Sequence, residues 1–180
     1  MTVVAGTNTL IDDHQTNYTV HQAIVHENFD PSILNNDIGI LRLTNKINFN
    51  DRIQPIPLTD NYPLPGTPCT LAGWGATSYP SQGYPNNLQY INLTTISLDE
   101  CKEKLIPGSR PITEKKICTL SKEGMGPCGG DSGGGLLNNV NGTLVGIVSW
   151  GYSCATGRPD IYTNVHAYLQ WMLIEIYTDF

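Results

Sequence analysis

The sequence is poor in basic residues: 10 lysines and arginines stand against 16 acidic ones, a formal charge of −6 over 180 residues. No basic stripe is present to neutralise phosphates, so a nucleic-acid partner is not expected. No apolar run is long enough to cross a bilayer, so no membrane partner is expected either. The five cysteines form no Cys-x-x-Cys pair and no histidine stands at ligand spacing from them, which leaves no metal and no other cofactor to be expected. The amino terminus lacks the basic stretch and apolar core of a signal peptide. Histidine itself is scarce, at four residues. What the chain does have is glycine and turns, interleaved with short apolar alternations, a composition that points to an all-β sandwich or barrel.

Residues 126 to 135 read Gly-Pro-Cys-Gly-Gly-Asp-Ser-Gly-Gly-Gly. A serine hydroxyl is a poor nucleophile near neutral pH, and acyl-transfer enzymes hold it on a tight turn beside a general base and backbone donors for the developing oxyanion. The glycines around Ser132 permit such a turn and let a carbonyl approach the amides of Gly130 and Ser132 unobstructed. A Gly-rich hairpin with no chemistry is the default for Gly-Ser-Gly-Gly alone. The neighbouring segments alter that balance. Ala72-Gly73-Trp74-Gly75 and Asn36-Asp37-Ile38-Gly39-Ile40-Leu41 lie upstream, and Gly146-Ile147-Val148-Ser149-Trp150-Gly151, then Cys154 and Gly157-Arg158-Pro159-Asp160-Ile161-Tyr162, lie downstream.

In this order the segments resemble the chymotrypsin-like (trypsin-fold) secreted serine endopeptidases over essentially the whole chain, with a motif pattern similar to arthropod chymotrypsin-like enzymes. The resemblance implies an all-β double barrel with a C-terminal helix. It implies Ser132 as nucleophile, Asp37 as the carboxylate that orients a histidine, and the Gly130 and Ser132 amides as the oxyanion hole. Ser149, Trp150 and Gly151 are expected to border the substrate cleft, with Gly126 on the floor of the specificity pocket and Asp160 on its opposite wall. This Gly/Asp exchange resembles broad-specificity digestive proteases of some arthropods. Polypeptide substrates and protein protease inhibitors are the implied partners, and a monomer is expected.

The resemblance also exposes departures. The family's histidine sits in an Ala-Ala-His-Cys motif just before a stretch similar to Thr2-Val3-Val4-Ala5-Gly6-Thr7. None of His14, His21, His26 and His166 stands at such a motif. The activated amino terminus that pairs in the family with the aspartate matching Asp131 has no counterpart either. A shortened chain is the simplest expectation, with the first barrel incomplete and the chain as given inactive; a non-catalytic homologue acting by binding is the alternative. Gly135 replaces the family's proline after the nucleophile motif.

By the same resemblance Cys101 pairs with Cys118 and Cys128 with Cys154. Cys69 is left over, because its usual partner position holds Asn138; its pairing stays open. Disulfides imply an oxidising, extracellular setting, as do sequons at Asn17, Asn92 and Asn141. The expected organisation is residues 1–50 as the back half of a first barrel, 51–66 as a proline-rich linker, 67–164 as a complete second barrel, and 165–180 as an amphipathic helix packing on that barrel, from the spacing of Val165, Leu169, Met172 and Ile176.

Overall fold

The computed structural model describes residues 1–12, 15–152, 154 and 156–177. Among them, three strands form an antiparallel sheet in the order β1 (Thr2–Ala5), β2 (Thr16–Val25) and β3 (Gly39–Leu43). Six more close into an antiparallel barrel: β4 (Pro68–Gly73), β5 (Gln89–Ile96), β6 (Lys116–Thr119), β7 (Gly135–Asn138), β8 (Thr143–Trp150) and β9 (Asp160–Asn164), in the spatial order β4-β5-β6-β9-β8-β7. Two helices, α1 (Leu98–Lys104) and α2 (Leu169–Tyr177), complete the described elements, the second preceded by a 3₁₀ turn at His166–Tyr168.

Alternation builds the barrel. Cys69 and Leu71 of β4, Leu93 of β5, Ile117 of β6, Leu136 of β7, Val145 and Val148 of β8, and Tyr162 of β9 all point into one buried cluster. Each such side chain contributes about 1.5–3 kcal/mol by leaving water. Closure also leaves the barrel without a free edge of its own. The three-stranded sheet is different: Tyr18 is buried, but Val4, Val25 and Leu41 remain 47%, 61% and 45% exposed.

The segment between sheet and barrel runs alongside β8. Thr59 N donates to Leu144 O and Leu144 N to Pro57 O, at 3.1 and 2.8 Å, so this proline-rich stretch is tied to the barrel. Helix α1 was not anticipated. Ser97 caps it by accepting from Glu100 N at 3.1 Å, Asp99 and Glu100 occupy its first turn, and Cys101 staples it to β6 through a disulfide with Cys118.

The C-terminal segment departs from expectation. Val165 and Tyr168 are buried, and Val165 N donates to Val145 O at 3.0 Å, but no residue of α2 is buried. The contacts of α2 lead to the first sheet and its loops: Trp171 stacks 5.0 Å from the His26 ring and donates to Glu27 at 3.0 Å, and Arg42 donates to Glu175 O at 2.5 Å. Leu169, Met172 and Ile176 therefore do not form a stripe buried on the barrel. Residues 178–180 and His14 lie outside the described residues.

Cys69 is free and fully buried, and burial pushes its thiol up to about 11. It sits directly across from Asn138 in the β4–β7 ladder. Replacing Asn138 with cysteine is expected to close a cross-barrel disulfide and stabilise the fold by roughly 2–4 kcal/mol. Thiol titration of the unfolded Asn138→Cys protein checks this: two reactive thiols rather than none would contradict the register.

Candidate active site

The turn that carries Ser132 is held from both flanks. Cys128 and Cys154 are disulfide-bonded with Cα atoms 4.4 Å apart, Gly133 N donates to Val148 O at 3.0 Å, and Val148 N returns a bond to Gly134 O at 2.9 Å. Between these ties Ser132 is exposed. Gly130 adopts φ +102°, where a side chain is strained, and a Cβ there would meet Tyr84 Cε1 at 2.8 Å and Gly75 Cα at 3.1 Å. The amides of Gly130 and Ser132 donate to no acceptor among the described residues. Two N–H groups with no acceptor among the described residues, beside an exposed serine, are the kind of donors that a developing oxyanion requires.

Asp131 sets the turn's shape. Its carboxylate accepts from Gly75 N at 2.9 Å and from Cys128 N at 3.0 Å. A Cβ on Gly73 or on Gly75 would collide with that carboxylate. The glycines flanking Trp74 are thus the space that Asp131 occupies, which links two motifs far apart in the chain. In this chain, then, backbone amides satisfy the carboxylate for which the family resemblance implied an amino-terminal partner.

Asp37 reaches the site from the first sheet. Ser149 Oγ donates to Asp37 Oδ2 at 2.7 Å, and Thr163 Oγ1 donates to the Asp37 carbonyl at 2.7 Å. Ser149 and Ser132 line one cavity of about 410 Å³. The aspartate, the cleft serine and the nucleophile turn are therefore joined through one side-chain contact and one shared wall.

That cavity is bounded by Val148, Trp150, Gly151, Tyr84 and Asp160 as well. Trp150 packs edge-on against Tyr152 at 6.2 Å, with the Arg110 guanidinium 5.7 Å from its ring centre. Asp160 is only 3% exposed, and burial pushes its carboxyl up to about 7. Its carboxylate accepts no hydrogen bond among the described residues, and a Cβ on Gly151 would meet Oδ1 at 2.8 Å. Gly126 is not brought to this cavity. It lines a neighbouring one of about 490 Å³ together with Asp131, and having no side chain it presents nothing towards Ser132. Tyr84, whose ring edge lies over Gly130, was missed from sequence, because an exposed loop tyrosine carries no signal of its own.

Among the described residues no histidine contacts Ser132 or Asp37. His21 sits in the bulge of β2 and is exposed; His26 is buried against Tyr168 and Trp171; His166 is exposed at the 3₁₀ turn. Gly135 opens β7 opposite Ile147, and a Cβ there would meet Leu144 Cδ1 at 2.7 Å. Asn17, Asn92 and Asn141 are all exposed.

The trypsin family profile matches residues 1–172. The chain belongs to the trypsin family. Its relatives include Chymotrypsin-2 of Vespa crabro, 38% identical over 173 residues that span 96% of this chain and 76% of that protein. Trypsin of Sus scrofa is 38% identical over 151 residues, covering 83% of this chain and 63% of the pig protein. Trypsin delta of Drosophila melanogaster is 35% identical over 149 residues, and this chain spans 58% of its length. The solved structure of neuropsin, a serine protease expressed in the limbic system of mouse brain, superposes with a TM-score of 0.88 at 32% identity, covering 97% of this chain and 78% of that one. By family the protein is a serine endopeptidase of trypsin-like fold, with the barrel, the C-terminal helix and disulfides in place.

The raised Asp160 pKa carries a signed consequence. Between the ordinary value of 3.8 and about 7 the folded state holds a proton that the unfolded state has released, so stability falls as pH rises through that window and levels off above it. Asp160→Asn is expected to abolish this slope, leaving melting unchanged near about pH 4 and stabilising the fold by on the order of 2–4 kcal/mol near about pH 8. Thermal melts across the window check it, and parallel curves for parent and variant would contradict it.

Proposed function

We propose that the protein is a secreted serine endopeptidase in which Ser132 is the nucleophile and Asp37 the carboxylate that orients the general base. Supporting this most directly is the exposed Ser132 hydroxyl beside two unspent amides, in a cavity whose wall includes the serine bonded to Asp37. In the reaction, Ser132 Oγ attacks the scissile carbonyl carbon while its proton passes to an imidazole. The carbonyl oxygen becomes an oxyanion held by Gly130 N and Ser132 N. The amine leaves with that proton, and water then hydrolyses the acyl-enzyme by the same route. The substrate backbone lies along Ser149 to Gly151, where β8 shifts register against β9 between Val148 and Trp150 and leaves Ser149 outside the ladder. Polypeptides and protein inhibitors share this cleft, and the acidic surface gives nucleic acid no purchase. Asn17, Asn92 and Asn141 are available for glycosylation in an extracellular protein, and no helix among the described residues is long and apolar enough to cross a membrane.

Specificity follows from the cavity. Trp150 and Val148 supply apolar walls, and Asp160 is a buried carboxylate with no hydrogen-bond partner among the described residues, costly unless protonated or matched by a cation. Cleavage after aromatic residues or leucine, together with acceptance of arginine or lysine, fits both features. A non-catalytic binding role is the second reading, favoured by the absence of a histidine at Ser132 or Asp37 among the described residues.

Fluorophosphonate labelling separates the two. The 180-residue chain is expected to remain unlabelled at Ser132, because loss of one triad member costs at least about 10³-fold. A chimera carrying the upstream segment of the Vespa crabro relative is expected to label stoichiometrically, with its Ser132→Ala variant silent. An inert chimera that binds peptide normally would favour the non-catalytic reading. Peptide-library profiling of the chimera then tests the pocket: Asp160→Gly is expected to abolish cleavage after arginine and lysine while sparing aromatic residues, and an unchanged profile would remove Asp160 from specificity.

A further inference from the structure

β6 opens on Lys116, which follows the exposed Lys115 and does not behave as a surface lysine. Lys116 is 2% exposed. Its Nζ donates to Leu34 O at 2.6 Å and to Ser149 Oγ at 3.3 Å. That same Ser149 hydroxyl donates to Asp37 Oδ2 at 2.7 Å. Lys115 Nζ donates to Asn36 Oδ1 at 2.8 Å, which also accepts from Tyr168 OH at 3.0 Å. The recipients share one loop. Leu34 and Asn36 both adopt left-handed backbone, at φ 52° and 51°, a conformation that strains a residue such as leucine and persists only where its surroundings enforce it. Asp37 follows immediately, so the direction of its carboxylate depends on that strained loop keeping its shape.

We infer that Lys116 is a positioning residue for Asp37, a buried ammonium that clamps the loop entering the carboxylate and fixes the Ser149 hydroxyl donating to it. The inference rests on Asp37 being the carboxylate of the catalytic triad. One charge performs two tasks. Donation to Leu34 O is a charge-assisted bond that holds the left-handed turn. Donation to Ser149 Oγ commits the hydroxyl proton to Asp37, because an oxygen already accepting from an ammonium is oriented to give its own hydrogen away. An apolar side chain of similar length would fill the same space and supply neither bond.

The charge is held at a cost. Burial pulls the Lys116 ammonium down to about 8, opposed by Asp37 and reinforced by Arg110. The other charged or titratable groups around it are Lys115 and Tyr168 on the far side of Asn36, and Tyr62, whose hydroxyl donates to Lys116 O at 3.1 Å. The clamp therefore weakens as pH rises through about 8, while stability gains from release of the buried charge between there and the ordinary value of 10.5.

Nuclear magnetic resonance of the full chain tests this. The Asp37 side-chain carboxyl carbon and the Ile38 amide are expected to show a shared titration step near pH 8 in the parent, absent from Lys116→Met. At about pH 7, Lys116→Met is expected to lose roughly tenfold or more of the hydrogen-exchange protection at Ile38 while Leu136 and Val145 stay protected. Lys116→Arg, charged at every pH measured, is expected to restore protection without the step. Absence of the step in the parent overturns the inference even if Lys116→Met fails to fold, and so does equal Ile38 protection in parent and variant. In the chimera, Lys116→Met is expected to lower kcat with KM unchanged. A chimera that never labels would remove the catalytic reading of Asp37 while the resonance results still decide the clamp.

Discussion

The hydrogen bond from Ser149 to Asp37 is one of several that tie the smaller sheet and its loops to the barrel, and it is the one that reaches the carboxylate. Ser149 belongs to the closed barrel, where β8 pairs with β7 from Thr143 to Ile147 and with β9 from Gly146 onward, shifting register after Val148. Asp37 belongs to the loop feeding β3 of the smaller sheet. Thr163 and Lys116 hold the backbone of the same loop through the Asp37 and Leu34 carbonyls, but among the described residues the carboxylate itself accepts only from Ser149. Everything proposed about catalysis is downstream of this junction. A carboxylate displaced by about 1 Å no longer orients an imidazole towards Ser132.

The barrel supplies the other half of the site by exclusion as much as by contact. Asp131 fits because Gly73 and Gly75 have no side chains, and Gly130 reaches φ +102° beneath Tyr84 because it has none either. The turn is thereby pinned by the Asp131 carboxylate and by the Cys128–Cys154 bridge, while the Gly130 and Ser132 amides have no acceptor among the described residues. The same logic isolates Asp160. The barrel needs an apolar interior, and a carboxylate with no partner among the described residues is tolerated at its rim where a cavity lets a guest or a proton answer it.

Legibility in the sequence tracked how local the determining physics is. The strand alternation around Leu71, Leu93 and Val145, and the glycine punctuation around Ser132, act over a few residues, and the observed strands fall where those patterns stand. Helix α1 has a local signal too, in Ser97 followed three residues later by Glu100, although the segment lies inside the stretch expected to form the second barrel. Three features depended on what lies opposite and were not legible. The stripe through Leu169, Met172 and Ile176 has helical spacing, but spacing does not say that Trp171 instead would dock on His26. Lys116 looks like the polar end of a strand, although all four residues of β6 are buried. Gly126 was expected from the resemblance on a pocket floor, and it lines the neighbouring cavity with Asp131, a placement that depends on the fold and not on its local sequence.

A double-mutant cycle on Asp37→Ala and Ser149→Ala, read by urea unfolding of the full chain at about pH 7, tests the junction most directly. The account predicts a coupling of about 1–2 kcal/mol, because each single substitution leaves a half-buried partner without its bond. Strict additivity, within about 0.3 kcal/mol, would mean that sheet and barrel do not communicate through this contact and would contradict the account.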